Sequence, residues 1–302
     1  MNELFAILLP TLSGTLRLAT PLMLCAMGGL FSERAGVIDV GLEGKMLAAA
    51  FASATIAWAT QSGWLGLAGG IGVACVMALL HSLACITYRG NQVVSGVAIN
   101  ILASGLTMVF AVAWFHRGGQ TPGLDTALRF MPVLFGQSLL VYVALAGVGA
   151  TWWLVGRTRF GLRLRAAGEE PAALDAAGLS VTWVRYRALL ITGVFTGIAG
   201  AYLSIAANAN FSREMTAGQG YIALAALIFG KWRPLSAFAA CLLFGLLDTL
   251  AIRLQGVSIG GVLVPVQLIQ ALPYILTITL LAGFIGRAVA PKAIGQPYEK
   301  AH

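Results

Sequence analysis

The chain has 302 residues, of which 59% are hydrophobic and only 10% are charged. Since a water-soluble domain carries roughly 25% charged residues, this composition excludes an ordinary soluble enzyme. The net charge of +8 indicates basic cytoplasmic loops rather than a nucleic-acid partner, because Lys and Arg accumulate on the cytoplasmic side of membrane proteins. We therefore predict a single all-α polytopic membrane domain over residues 1–302, embedded in the lipid bilayer.

The apolar segments predict about nine transmembrane helices, within a range of about eight to ten. In chain order their residues are 5–31, 44–60, 64–88, 93–115, 134–156, 187–207, 217–230, 235–252 and 266–286. The first contains Pro10 and Pro21, which indicate a kink. The seventh is short for about 30 Å of hydrocarbon and fits half of a broken helix. Two GxxxG spacings, at 66–70 and 193–197, predict close helix packing.

The distribution of basic residues predicts the orientation. When the spans alternate strictly, most of the 19 Lys and Arg residues fall on one side of the membrane. The positive-inside bias therefore predicts an extracytoplasmic N-terminus and a cytoplasmic tail at residues 287–302. The longest hydrophilic segment, residues 157–187, lies on the cytoplasmic side of this topology.

That cytoplasmic loop contains the signals of a short helix over residues 168–178. Pro171 suits a first helical position, Glu169 and Glu170 lie where a helix N-terminus favours anions, and Gly178 can adopt a left-handed stop. One interpretation is a solvated helix in a loop whose Arg residues only set the topology. The other is a docking element for a cytoplasmic partner, which the alanine-rich face between charged ends favours.

A second polar segment, residues 31–45, connects the first two spans. Glu33 with Arg34, and Glu43 with Lys45, are expected to neutralise each other. Asp39 stands alone among apolar residues and is expected to cap the next helix, with a role in substrate binding or proton coupling as the alternative.

No catalytic residues and no metal site are predicted. The chain lacks zinc-protease, nucleophile-elbow and phosphate-loop motifs, and its four cysteines lack metal-ligand spacing. Charged residues are scarce inside the spans, with only Arg17 and Asp248 away from the span ends, which argues against a proton relay. Energy for uphill transport would have to come from a partner that hydrolyses nucleotide, and the loop at 157–187 is where such a partner would bind.

Five stretches, in order along the chain, resemble the permease subunits of bacterial ABC importers in the branched-chain amino acid, ribose and nucleoside group. They are GVIDVGLEG at 36–44, NQVVSG at 91–96, GLRLRAAGE at 161–169, GYIALAALIFGKWRP at 220–234 and IGQPY at 294–298. The first looks like the form found in permeases that work with basic-membrane-protein-type lipoproteins, whose usual cargo is nucleosides. Relative to the sugar permeases, this chain lacks one N-terminal span.

The resemblance implies a multi-pass protein of the bacterial cytoplasmic membrane with several partners. The first is an ATP-binding subunit, which holds ATP and Mg²⁺, so this chain needs no cofactor. The second is a related permease that forms a heterodimeric pore with this chain. The third is an extracytoplasmic solute-binding protein. It also implies that residues 168–178 form the coupling helix, seated in a groove of the ATP-binding subunit. The expected contact residues are Arg165, Gly168, Glu169, Glu170, Pro171, Ala172, Ala173, Asp175 and Gly178.

We therefore expect the membrane subunit of an ATP-driven importer for a nucleoside-like solute. A pathway of amides, hydroxyls and aromatic rings suits neutral polar cargo, and the candidate residues are Asn100, Ser104, Thr192, Thr196 and Asn208. The alternative is an ion- or proton-coupled secondary transporter acting alone, for which the available ionisable residues are Asp39, Glu214 and Asp248.

Overall fold

A computed structural model of the protein describes residues 2–255 and 289–300, together with residues 258, 259, 262, 263, 271 and 275. The helices of these ranges are α1 (Asn2–Arg34), α2 (Leu42–Thr60), α3 (Gly63–Ser82), α4 (Gln92–Phe115), α5 (Leu139–Arg157), α6 (Arg159–Glu169), α7 (Pro171–Ala176), α8 (Val181–Tyr202), α9 (Gln219–Phe229) and α10 (Pro234–Arg253). Single π-helical turns extend α3 over Leu83–Thr87 and α8 over Leu203–Ala207. A short 3-10 helix covers Thr126–Leu128. Two small antiparallel hairpins pair β1 (Pro132–Leu134) with β2 (Gln137–Ser138) and β3 (Ser258–Ile259) with β4 (Val262–Leu263).

Six helices of the described ranges are long and apolar enough to cross a membrane: α1, α3, α4, α5, α8 and α10. α1 remains one continuous helix through Pro10 and Pro21. α2 matches a further predicted span, but its first turn carries Glu43 and Lys45, and most of its side chains are buried among the other helices. α9 has 11 residues, or about 16 Å, and is too short to cross the bilayer alone. The predicted span at 266–286 lies outside the described residues.

Two predicted span boundaries are wrong. Residues 134–138 belong to the β1–β2 hairpin and its turn, so α5 starts at Leu139. α8 starts at Val181 rather than at 187, because the Ser180 hydroxyl accepts a hydrogen bond from the Trp183 amide and caps the helix. The polar first turns of α8 are helical despite Arg185, which is buried and bonded to backbone carbonyls.

The bundle centre is formed by α1, α2 and α8. α1 packs against α5, α8, α9 and α10, and α8 also packs against α2 and α3. Glycines permit these contacts: a Cβ on Gly197 of α8 would lie 2.5 Å from the Ile71 Cα of α3, and one on Gly66 of α3 would lie 2.7 Å from the Ser53 carbonyl oxygen of α2. The predicted packing role of both GxxxG spacings is confirmed.

Candidate functional site

The connection between α1 and α2 is a buried polar segment. Asp39 forms an ion pair with Lys45, and both side chains are fully buried. His81 of α3 lies beside them, with Nε2 3.0 Å from the Ile38 carbonyl oxygen and 3.9 Å from an Asp39 carboxylate oxygen. The expectation that Asp39 caps α2 is wrong, because Gly41 occupies the capping position without a side-chain hydrogen bond. A buried carboxylate needs a charged partner, and Lys45 provides it.

The other two carboxylates of this segment hold the two ends of α9. Glu43 accepts hydrogen bonds from the amides of Gly218 and Gly220, at 2.8 and 2.6 Å, which satisfies backbone donors at the start of the helix. Glu33 accepts a hydrogen bond from the Trp232 indole, just after the helix ends. The predicted pairs Glu33–Arg34 and Glu43–Lys45 are therefore wrong, because side chains one or two positions apart do not face each other on a helix.

Asn100 and Ser104 lie one turn apart on α4 and meet two polar side chains from the chain around α9. The Asn100 amide donates to the Val40 carbonyl (3.1 Å) and to the Tyr221 hydroxyl (2.7 Å) and accepts from the Gly44 amide (2.8 Å). Ser104 donates to the Glu214 carboxylate. We call Asn100, Ser104, Glu214 and Tyr221 the α4–α9 surface.

This surface is open to the outside of the subunit. Tyr221 is 46% exposed, and Glu214 is exposed as well. Sequence reasoning missed Tyr221 altogether and considered Glu214 only as an ionisable group for the alternative mechanism. The available signal for Tyr221 was its position in the stretch 220–234 that carries the family resemblance.

The other three candidate pathway residues lie elsewhere. Thr192 and Thr196 are fully buried, and Thr192 donates to the carbonyls of Gly28 in α1 (2.8 Å) and Ala188 (3.0 Å). Thr196 donates to carbonyls of its own helix. Asn208 follows the π-helical turn of α8 and lines a separate cavity. The structure therefore brings together only Asn100 and Ser104 among the five.

The predicted helix at 168–178 is divided between two helices. Gly168 and Glu169 end α6, and α7 starts at Pro171. Glu170 between them has a non-helical backbone, φ −148° and ψ 79°, because a residue that precedes proline avoids the helical region. The stop predicted at Gly178 is confirmed by its φ of +76°.

α7 presents an alanine-rich face to the outside. Ala172 and Ala173 are exposed, Leu174 is buried against the bundle, and Asp175 is half-buried. Arg165, one turn before the end of α6, is half-buried and bonds to the Gly161 carbonyl. The face between α6 and Gly178 is therefore small, polar at its ends and accessible.

The C-terminal tail, residues 289–300, ties this region to the buried segment after α1. The Ala293 amide donates to the Gly168 carbonyl (2.8 Å), and the Gly295 amide donates to the Gly36 carbonyl (3.1 Å). Arg185 of α8 donates to the carbonyls of Ala35 and Gln296, both at 3.0 Å. Sequence reasoning found the tail motif but no role for Arg185.

Further along, the tail contacts α7 and the loop between α3 and α4. Lys300 lies 3.9 Å from Asp175, and Glu299 pairs with Arg89 at 2.6 Å. Partial desolvation and the Asp175 carboxylate raise the pKa of the Tyr298 phenol. The tail thus contacts α6, α7, α8 and the loop between α3 and α4.

Comparison with known proteins identifies the family. The family model described as branched-chain amino acid transport system, permease component, matches residues 11–281. The guanosine ABC transporter permease protein NupQ of Bacillus subtilis is 39% identical, over 99% of this chain and 98% of its own length. The nucleoside ABC transporter permease protein NupC of Lactococcus lactis is 38% identical, over 93% and 94%.

A solved ABC transporter structure in an inward-facing conformation has a TM-score of 0.50 at 15% identity, over 91% of this chain and 86% of that chain. It supports the fold of a transporter membrane domain. The family finding decides against a secondary transporter acting alone, and it assigns ATP hydrolysis to a partner subunit. The chain belongs to the branched-chain amino acid transport system permease family and is an integral membrane subunit of an ABC importer.

Proposed function

We propose that this chain forms half of the translocation pore of an ATP-driven nucleoside importer. The observation that carries the proposal is its similarity, over nearly the whole chain, to two permeases whose names specify guanosine and nucleosides. The chemistry of the α4–α9 surface supports it. An amide, a hydroxyl and a phenol can bond to ribose hydroxyls and to the edges of a base, and the Tyr221 ring offers a face for stacking.

The solute passes along the α4–α9 surface, with Asn100, Ser104 and Tyr221 as its contacts. Exposed polar groups halfway along a membrane helix are costly against lipid, which supports a second subunit rather than lipid on this face. That subunit is a second, related permease, so the pore is heterodimeric. Thr192 and Thr196 serve in the packing of α8, and Asn208 lies apart from the route.

The chain crosses the membrane about nine times, with its N-terminus outside and its C-terminus in the cytoplasm. The six long apolar helices, α2, α9 and the apolar segment 266–286 supply the spans. Basic residues support the orientation, since Arg34, Arg89, Arg185 and the tail all lie at one end of the bundle, near α7. An extracytoplasmic solute-binding protein delivers the nucleoside at the opposite end.

α7 with its flanking residues is the coupling helix and docks in a groove of the ATP-binding subunit, where ATP and Mg²⁺ bind. Movement of α7 and α6 reaches the segment after α1 through the tail contacts at Gly168 and Gly36. That segment touches the α4–α9 surface directly, because Gly44 and Val40 are bonded to Asn100. The buried segment thus links the motor contact to the pore.

The docking proposal is tested by placing a large cation on the exposed face of α7, with Ala172→Arg and Ala173→Arg. The matched control is Ala127→Arg, the same substitution at an exposed alanine of the 3-10 helix. We expect normal membrane insertion for all three variants, with loss of ATP-binding subunit co-purification and of guanosine uptake only in the α7 variants. Persistent co-purification and uptake would show that α7 does not dock.

The nucleoside assignment needs a separate experiment. Uptake of labelled guanosine by cells that express the complete transporter is competed with unlabelled guanosine, guanine and ribose. The proposal predicts competition by the nucleoside at much lower concentration than by either fragment. Preferential competition by ribose or by the free base would reassign the cargo class while leaving the importer assignment in place.

A further inference from the structure

A cavity of about 520 Å³ lies among α1, α8, the β1–β2 hairpin and the start of α9, and none of the four residues of the α4–α9 surface lines it. Two arginines line it. Arg17 of α1 donates one hydrogen bond, from Nη2 to the Gly136 carbonyl at 2.8 Å, so its other donors stay available. Arg129, which precedes the hairpin, has a buried Nε without a hydrogen-bond partner. Two guanidinium groups therefore meet at one site with unused donors.

No carboxylate of the described residues neutralises this pair. Neither arginine takes part in any of the ion pairs found in the described ranges. Outside them, residues 256–288 contain no Asp or Glu, and Glu3 lies about 21 Å further along α1. Guanidinium groups stay charged and favour anions that accept two hydrogen bonds in parallel. The site therefore needs an anion that comes from outside the chain.

The cavity lies within reach of lipid headgroups. Arg17 is about 25 Å along α1 from Arg34, which places its backbone inside about 30 Å of hydrocarbon but close enough to the outer border for a long arginine side chain to reach the headgroups. Next to Arg129, the Phe130 ring packs edge-on against the exposed Trp64 ring, with centroids 4.9 Å apart. Exposed tryptophans mark the membrane–water interface, so the two guanidiniums lie at that interface, at the bundle end opposite α7.

The rest of the lining is divided between polar and apolar groups. Ser138 and Gln219 each present a buried oxygen without a hydrogen-bond partner. Apolar surface is contributed by Leu18, Met131, Leu203 and Met215. A free inorganic anion would use only the polar part, whereas an amphiphile with a phosphate group and an apolar body uses both.

We propose that Arg17 and Arg129 bind the phosphate group of a phospholipid, in the extracytoplasmic leaflet of the proposed topology. Each guanidinium can donate two parallel hydrogen bonds to phosphate oxygens. Ser138 completes the polar cradle, and the apolar lining contacts the glycerol and the first methylene groups. The site is distinct from the solute route and from the coupling helix.

The test is lipid binding by the full-length chain, purified in mild detergent, stripped of lipid and titrated with phosphatidylglycerol during native mass spectrometry. Diacylglycerol, which lacks the phosphate, is titrated in parallel. The variants are Arg17→Gln, Arg129→Gln and their combination. Arg117→Gln is the matched control, since Arg117 is also exposed near the end of α4 and loses the same charge. We expect about tenfold weaker phosphatidylglycerol binding for each cavity variant and unchanged binding for the control.

A second readout covers variants that fold poorly. Phosphatidylglycerol should raise the thermal unfolding midpoint of the wild type and of the control but not of the double variant. Phosphatidylglycerol binding by a folded double variant at wild-type strength, or equal binding of diacylglycerol by the wild type, would overturn the proposal. Displacement of the lipid by millimolar inorganic phosphate would support a phosphate-binding site and would identify free phosphate, rather than a lipid, as the ligand. The assay uses neither solute nor ATP, so its outcome is independent of the proposed transport function.

Discussion

The buried Asp39–Lys45 ion pair allows a direct test of how the charges inside the bundle affect its stability. Both side chains are fully buried, and the His81 imidazole lies beside them, with Nε2 3.9 Å from an Asp39 carboxylate oxygen. Replacing Lys45 with Met leaves a carboxylate uncompensated in the bundle, and removal of one member of a buried pair costs about 3–5 kcal/mol. Asp39→Asn leaves the ammonium unpaired and is expected to cost a similar amount.

The double variant Asp39→Asn/Lys45→Met removes both charges. It should recover most of the loss, because a neutral pair of similar volume avoids the desolvation of two ions. If the double variant costs only about 1 kcal/mol, the coupling energy between the two sites, obtained from the cycle of single and double variants, is therefore expected to be about 5–9 kcal/mol. Equilibrium unfolding of the purified chain in mixed micelles, followed by circular dichroism, measures it.

The exposed pair Arg89–Glu299 is the control for this cycle. Its side chains are 50% and 72% exposed, so the same cycle with Arg89→Gln and Glu299→Gln should give at most about 1 kcal/mol. If Lys45→Met and Asp39→Asn each cost under about 1 kcal/mol, the two charges are not the buried partners described above, and the account of the segment after α1 fails.

Three further predictions follow from single contacts. Tyr221→Phe removes one hydrogen bond to Asn100 and should raise the KM for guanosine uptake about two- to tenfold, whereas an unchanged KM would place the solute elsewhere. Gly197→Ala forces a Cβ to within 2.5 Å of the α3 backbone and should destabilise by about 1–3 kcal/mol. Gly149→Ala, whose Cβ would meet nothing within 4 Å, should leave the thermal midpoint nearly unchanged. Arg185→Gln removes the charged donor that bonds to both the tail and the α1–α2 segment. Release of the tail should speed tryptic cleavage after the exposed Lys292. Equal cleavage rates for the variant and the wild type would contradict the tail contact.

Hydropathy predicted where most helices lie, because a run of apolar residues long enough for the bilayer has few other folded solutions. It did not predict the β1–β2 hairpin, since Val133 and Leu134 continue the apolar run that leads into α5. Both side chains are exposed in the hairpin. Hydropathy depends only on side-chain polarity and does not detect where the backbone turns. The helix predicted over 168–178 starts at Pro171, the position that the sequence favoured for the first helical residue, whereas Gly168 and Glu169 belong to the preceding helix.

The partners of the buried charges could not be predicted from neighbouring residues. Glu43 bonds to amides 175 and 177 positions away, and Glu33 bonds to an indole 199 positions away. Polar residues within apolar spans were a useful signal at Asn100. The same signal failed at Thr192 and Thr196, because a threonine hydroxyl can bond to a carbonyl one turn earlier and needs no solute.

The carboxylates of the α1–α2 segment have a consequence for how the pore responds to its motor. Glu33 and Glu43 hold α9 at both ends, and Tyr221 is in the first turn of α9. A displacement of the segment therefore moves Asn100 through Gly44 and moves Tyr221 through Glu43. Because the two residues are themselves bonded at 2.7 Å, both sides of the polar surface are carried by one element. The tail bonds that same element to α6 and α8 through Gly36 and Ala35, so a displacement of the proposed coupling loop is expected to change the geometry of the α4–α9 surface.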